Sequence, residues 1–111
     1  MVYFAEHAAL AVLEVRVHLD LPFELLPDDY VLMRASLPDE PPEIIDEIPS
    51  NPTATGDAWL AAGRTSVLSV PSILVAPARN LLLNPAHPRA TEARLVSVDT
   101  FEFDPRLWLP A

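Results

Sequence analysis

The sequence contains no cysteine. That absence excludes disulfides, thiolate metal ligands and a cysteine nucleophile. It contains no lysine either; its seven basic side chains are all arginine, and sixteen acidic residues leave a net charge of −9. A chain of that charge repels a phosphate backbone or an anionic bilayer unless its arginines cluster, and no run of arginine occurs. Nucleic acid and membrane surfaces are therefore excluded as direct partners. With only two glycines, there is no glycine-rich phosphate loop of the Rossmann or P-loop kind, and no Gly-x-Ser-x-Gly elbow for a hydrolase serine. The longest apolar run, Ala8 to Leu13, is too short to cross a bilayer. It also lacks the basic flank and cleavage site of a signal peptide, so a cytoplasmic location is expected. The bias towards Ala, Pro, Leu and Arg, with no Lys, reads as a GC-rich bacterial genome.

What is present fits one domain of 111 residues, half of them hydrophobic, which suffices for a core. Thirteen prolines predict several stiff loops, because each fixes its own φ and restricts the residue before it. Met1 to Ala5 reads as a short strand, rich in aromatic and β-branched residues. Glu6 to Leu19 reads as a helix apolar on nearly every side, hence buried on more than one face, and Leu21-Pro22 ends it. Tyr30 to Leu37 alternates cleanly, with Val31, Met33, Ala35 and Leu37 on one apolar face. Pro38 to Pro52 reads as a long connection with one strand at Ile44-Ile45. A second helix is expected from Thr55, as cap, to Ala62, with Gly63 at the left-handed C′ position. Ser66 to Val70 and Arg94 to Val98 read as strands, and Phe101 to Phe103 as a further one. The order predicts an α+β fold and not a regular βαβ wind.

Four places carry candidate chemistry. Glu14 sits in an apolar helix, and burying a carboxylate unpaired costs several kcal/mol; it is either a functional group or a residue that faces solvent or is neutralised by Arg16. His7, Glu14 and His18 share a face by spacing, but no third ligand is near, so the metal reading is rejected and the histidines are read as solvated. Ser72 follows Val70-Pro71 at the end of an apolar strand, where site residues are common; the plainer reading is a turn serine capping local backbone. Asn80-Leu81-Leu82-Leu83-Asn84-Pro85-Ala86-His87-Pro88 reads either as a buried loop whose Asn side chains satisfy the backbone, or as the wall of a ligand pocket.

Together these segments resemble the RES family, bacterial toxins of toxin–antitoxin pairs named for an Arg, a Glu and a Ser. The resemblance spans nearly the whole chain, read as a RES-like domain over residues 1–111. It runs through Val2-Tyr3-Phe4-Ala5-Glu6, Ala11-Val12-Leu13-Glu14, Gly56-Asp57-Ala58-Trp59-Leu60 and Val70-Pro71-Ser72. It continues through Asn80 with Leu83-Asn84-Pro85-Ala86-His87, and ends in Phe103-Asp104-Pro105-Arg106-Leu107-Trp108. No one motif is specific; six in order are. The resemblance implies a split sheet similar to ADP-ribosyltransferases and cleavage of NAD at its nicotinamide–ribose bond, with inorganic phosphate or water as acceptor. Some relatives are thought to transfer ADP-ribose to a protein. NAD is then substrate and no resident cofactor is needed. A small helical, DNA-binding antitoxin is the implied partner; self-association stays open. By position, Glu14 and Ser72 carry the catalytic roles, while Tyr3 and Asn84 bind substrate.

One departure stands out. The family's Arg lies upstream, in a Gly-Gly-Arg-Trp-Asn-like segment with no counterpart here, so the chain reads as the larger C-terminal part of the domain. A pyrophosphate would then need Arg16, Arg64 or Arg79. Two rival expectations follow: a truncated, inactive toxin relic that only binds its antitoxin, and a plain acidic scaffold domain.

Overall fold

The computed structural model describes residues 1–108. Its elements are β1 (Val2–Ala5), α1 (Ala8–His18), β2 (Val31–Ser36), β3 (Glu43–Ile44), α2 (Pro52–Ala62), β4 (Val67–Pro71), β5 (Arg79–Leu83) and β6 (Arg94–Thr100), with short 3₁₀ turns at Phe23–Leu25, Pro88–Glu92 and Pro105–Trp108. Four strands form one sheet in the order β1-β5-β4-β3, and β2 pairs with β6 in a second. The fold is α+β with a divided sheet. Only the β3–β4 pair is parallel; every other pair is antiparallel.

The largest correction to the sequence reading is β5. The stretch Asn80 to Leu83, read above as a loop, is a central strand hydrogen-bonded to β1 on one side and β4 on the other. Register fixes which side chains share a face, because residues directly opposite point the same way. Tyr3, Leu82 and Leu68 lie in one row, and Ala5, Asn80 and Val70 in the next. The helix α2 packs on this face through Trp59, which is buried with Leu68 and Leu82 and flanked by Ile45, Leu60 and Val70. The Trp59 indole donates to Thr65 Oγ1 at 3.0 Å, and that hydroxyl donates on to the Val67 carbonyl. The bulky core residue is thus satisfied at its one polar atom.

α2 begins three residues earlier than expected. Asn51, not Thr55, caps it by accepting from the Ala54 N–H at 3.1 Å, with Pro52 in the first turn. Gly63 closes it at φ 61°, the left-handed conformation anticipated. α1 is capped by His7, whose Nδ1 accepts from the Leu10 N–H, and ends with Arg16 and His18 in its last turn, where the helix dipole favours positive charge. Of its apolar residues only Leu10 is buried, while Leu13, Val15 and Val17 are exposed. The expected burial on several faces is not found. β3 falls at Glu43–Ile44, one residue before the expected pair.

β2 and β6 lie where the alternation predicts strands, with a register shift between Arg34 and Ala35. Their apolar face points outwards: Met33 is 62% exposed and its partner Val98 51% exposed, with Val31 and Leu95 also bare. Phe101–Phe103 does not form the expected strand. Its rings instead join an edge-to-face chain: Phe101 and Tyr30 both stack on Phe103, Phe103 on Trp108, and Trp108 on Phe23, at centroid separations of 5.0 to 5.6 Å.

Candidate functional site: the cleft between the two helices

The sheet face that carries Asn80, Leu82, Leu68 and Val70 is covered by α2 at one end and approached by α1 at the other. Between them lies a cleft of about 500 Å³. Its floor is apolar, formed by Leu68, Val70, Leu82 and Ile45. One wall is Tyr3 with Glu14 and His18 of α1; another is the first half of α2, including Thr53, Thr55 and Asp57; the third is Pro71 to Leu74. Apolar walls with a few convergent polar groups are the usual make-up of a small-molecule site.

Three of the four site residues expected from the sequence meet here. Tyr3, at the start of edge strand β1, is largely exposed to the cleft mouth. Glu14 is partly buried, and its Oε1 accepts from Asn80 Nδ2 at 2.6 Å. Arg16 does not neutralise it; that guanidinium turns the other way, to the Leu19 and Leu107 carbonyls and the Trp108 ring. Ser72 is 4% exposed. Its Oγ accepts from the Leu74 and Val75 N–H groups at 3.2 Å each, and its own N–H donates to the Ala78 carbonyl at 2.8 Å. Ser72 therefore organises the turn after β4 while lining the cleft. Its hydroxyl hydrogen has no acceptor among the described residues.

Asn84 is the exception. It is buried away from the cleft lining; its Nδ2 donates to the Leu60 carbonyl, its Oδ1 accepts from the Ala86 N–H, and its backbone N–H bonds the Ser66 carbonyl. The side chain satisfies backbone and locks the turn after β5 to α2. The pocket-wall position belongs to Asn80, four residues earlier. Sequence reasoning set Asn80 in the stretch offered as a pocket wall but gave the binding role to Asn84, because the strand that aims Asn80 into the cleft was missed. It also read His18 as plainly solvated, whereas His18 lines the cleft one helical turn beyond Glu14. Asp57 adds a second carboxylate.

None of the seven arginines lines the cleft. Arg79 neighbours Asn80 on β5 and so projects from the opposite face, where its guanidinium donates to Ser69 Oγ at 2.7 Å and to the Ser69 and Ile45 carbonyls. It laces β5, β4 and the end of β3 together. Arg64 makes a bidentate pair with Glu43 at 3.1 Å, which holds it above its ordinary range. Arg106 is forked onto Asp104, whose carboxyl falls to about 2 mainly through that side-chain bond. Arg89 pairs with Glu92 and Glu40. Glu40 in turn accepts from the Ser66 N–H at 2.7 Å and from the Ser66 hydroxyl, and these bonds hold its carboxyl below the usual range. This network fixes the Pro38–Pro42 connection against the start of β4 and does not reach the cleft lining.

Residues 1–106 match the RES domain. The chain belongs to the RES domain family. It is 37% identical to the Prs ADP-ribosylating toxin of a Sphingobium species over 119 residues, an overlap that takes in 96% of this chain and 74% of that protein. It is 34% identical to Toxin Res of Pseudomonas putida, with 97% of this chain and 79% of the relative covered. Toxin Res of Yersinia enterocolitica is 36% identical over 96% of this chain and 76% of its own length. These RES relatives are named as toxins, which supports a toxin function for this chain. Among the described residues no helix is long and apolar enough to cross a membrane.

Proposed function

We propose that this RES domain is a toxin-type enzyme that cleaves NAD at the nicotinamide–ribose bond. The observation that carries the reading is the carboxylate of Glu14, held by Asn80 in an apolar cleft that Tyr3 also lines. In such a cleavage the bond from ribose C1′ to the pyridinium nitrogen breaks, its electron pair leaves with neutral nicotinamide, and positive charge develops on the ribose. A fixed anion next to that ribose stabilises the transition state more than the ground state. Tyr3 is suited to stack against the nicotinamide ring, and the free hydroxyl hydrogen of Ser72 to bond a ribose or phosphate oxygen. Phosphate or water then attacks C1′. The name of the Sphingobium relative supports a protein side chain as a third acceptor. A fold similar to ADP-ribosyltransferases, a cytoplasmic site of action and a helical DNA-binding antitoxin complete the reading.

A second reading, an inactive relic that only binds its antitoxin, is favoured by one observation: the cleft holds two carboxylates and no arginine for a pyrophosphate. Nicotinamide release from NAD by the purified chain, with and without inorganic phosphate, separates the two. Release supports the enzyme. No release, with antitoxin binding retained, supports the relic.

A further inference from the structure

We propose that Asn80 is the positioning residue for Glu14, committing one of its carboxylate oxygens and leaving its other oxygen open to the cleft. The inference rests on the enzymatic reading above and deepens it. Asn80 lies in the central strand β5, with its backbone paired between Ala5 and Val70, and the residue is only 9% exposed. The amide nitrogen donates to the Phe4 carbonyl at 3.3 Å and to Glu14 Oε1 at 2.6 Å. Both partners only accept, so the amide has one consistent orientation, and its two hydrogens are both used. Glu14 Oε2 has no donor among the described residues.

The strand does not need an asparagine at this place. Its main chain is already satisfied in the sheet, and an apolar residue would fill a buried position at lower desolvation cost. What the amide adds is a fixed direction for a flexible side chain on another element. A free glutamate on a helix surface samples many rotamers, and ordering one at the moment of reaction costs entropy. With Oε1 held to the sheet, that ordering is done in advance, and Oε2 meets a ribose hydroxyl or the developing charge at C1′ in one geometry.

The test uses the purified chain and nicotinamide release from NAD. Asn80→Ala is expected to lower kcat by about a hundredfold, the scale of a small misplacement of a catalytic group, with little change in KM. Asn80→Asp sets a second carboxylate against Oε1, so the pair works only when it shares a proton. Its activity is expected to rise as the pH is lowered, while the Asn80→Ala variant gains nothing; a merely structural loss would be the same at every pH. Unchanged kcat in a folded Asn80→Ala variant, or a wild-type pH profile for Asn80→Asp, overturns the proposal. If the wild type itself releases no nicotinamide, the enzymatic reading has failed, and Asn80 is judged by a double-mutant cycle with Glu14→Ala in urea unfolding. Additive losses then overturn the positioning role, and non-additive losses keep it.

Discussion

The Arg16 guanidinium lies 4.1 Å from the centre of the Trp108 ring. The closing segment is thereby clasped to the helix that carries Glu14. Arg16 Nε also donates to the Leu107 carbonyl at 3.0 Å, and the Trp108 indole donates to the Leu21 carbonyl at 2.8 Å, just past the helix end. Losing the Leu107 and Trp108 contacts is therefore expected to loosen α1.

Trp108→Ala is expected to lower stability by about 1–3 kcal/mol, less than a fully buried aromatic because the ring is only partly covered. Arg16→Leu combined with it should show coupling of roughly 0.5–1 kcal/mol in urea unfolding. Purely additive losses would mean that the ring and the guanidinium do not interact in solution.

Glu14→Gln should leave the fold intact, because the Gln carbonyl still accepts from Asn80, and should reduce nicotinamide release by on the order of 10²–10³. Ser72→Ala should cost less activity. Its hydroxyl bonds two turn N–H groups, so its loss appears first as about 1 kcal/mol of stability. Measuring both variants in one assay ranks them, and a greater catalytic loss at Ser72 would reverse the assigned roles.

Acid should weaken the fold in part through Glu40, alongside Glu92 and Asp104, whose carboxyls are also held low. Its carboxyl is held below the ordinary value of 4.5 by the Ser66 side-chain and backbone bonds, with help from Arg89. The folded-state value lies below the unfolded one, so the stabilisation is complete above the ordinary carboxylate range and is lost as the pH falls through the folded value. Glu40→Gln should lower Tm near neutral pH and flatten its fall below pH 4.5. Thermal melts from neutral to acid pH check this; parallel curves for the two proteins would show that Glu40 is not the group that titrates.

The cleft without arginine should favour the cationic half of the dinucleotide. Nicotinamide riboside is expected to compete with NAD for the chain, and ADP-ribose, which keeps the pyrophosphate and lacks the pyridinium, to compete poorly. Arg79→Met should weaken folding and leave ligand affinity unchanged, since that guanidinium serves the opposite face of the sheet. Isothermal titration gives both answers, and tight ADP-ribose binding lost in Arg79→Met would overturn them.

Much of the fold was legible because local signals agreed with tertiary ones. The aromatic and β-branched start gave β1, the proline after Leu21 ended α1, and Gly63 marked the end of α2. The central strand escaped notice for a physical reason. Asn80 to Leu83 sits mid-sheet, Leu82 and Leu83 are both buried, and a strand covered on both faces shows no alternation. Its flanking asparagines looked like turn residues, yet Asn80 serves a helix sixty-six positions away. Phe101 to Phe103 has strand composition, but the Phe101 N–H makes one last bond to the Tyr30 carbonyl and the rings then pack on Tyr30, Trp108 and each other. Glu14 was legible because a carboxylate is conspicuous among alanines, leucines and valines. Arg79 was not, because its role depends on which face the register of β5 assigns it.

The bare face of β2 and β6 sets the colloidal behaviour of the protein. Apolar side chains at Val31, Met33, Leu95 and Val98 attract their like, while a net charge of −9 drives copies apart. Those forces have different reach. At about 0.01 M ionic strength the screening length is roughly 30 Å, comparable to the 44 × 32 × 21 Å molecule, and repulsion governs every encounter. Near 1 M it shrinks to about 3 Å, and the stickiness of the exposed sheet goes unopposed. Salt is thus expected to act as a precipitant for this chain, with dilute buffer favouring dispersed copies and concentrated buffer favouring association through the exposed sheet.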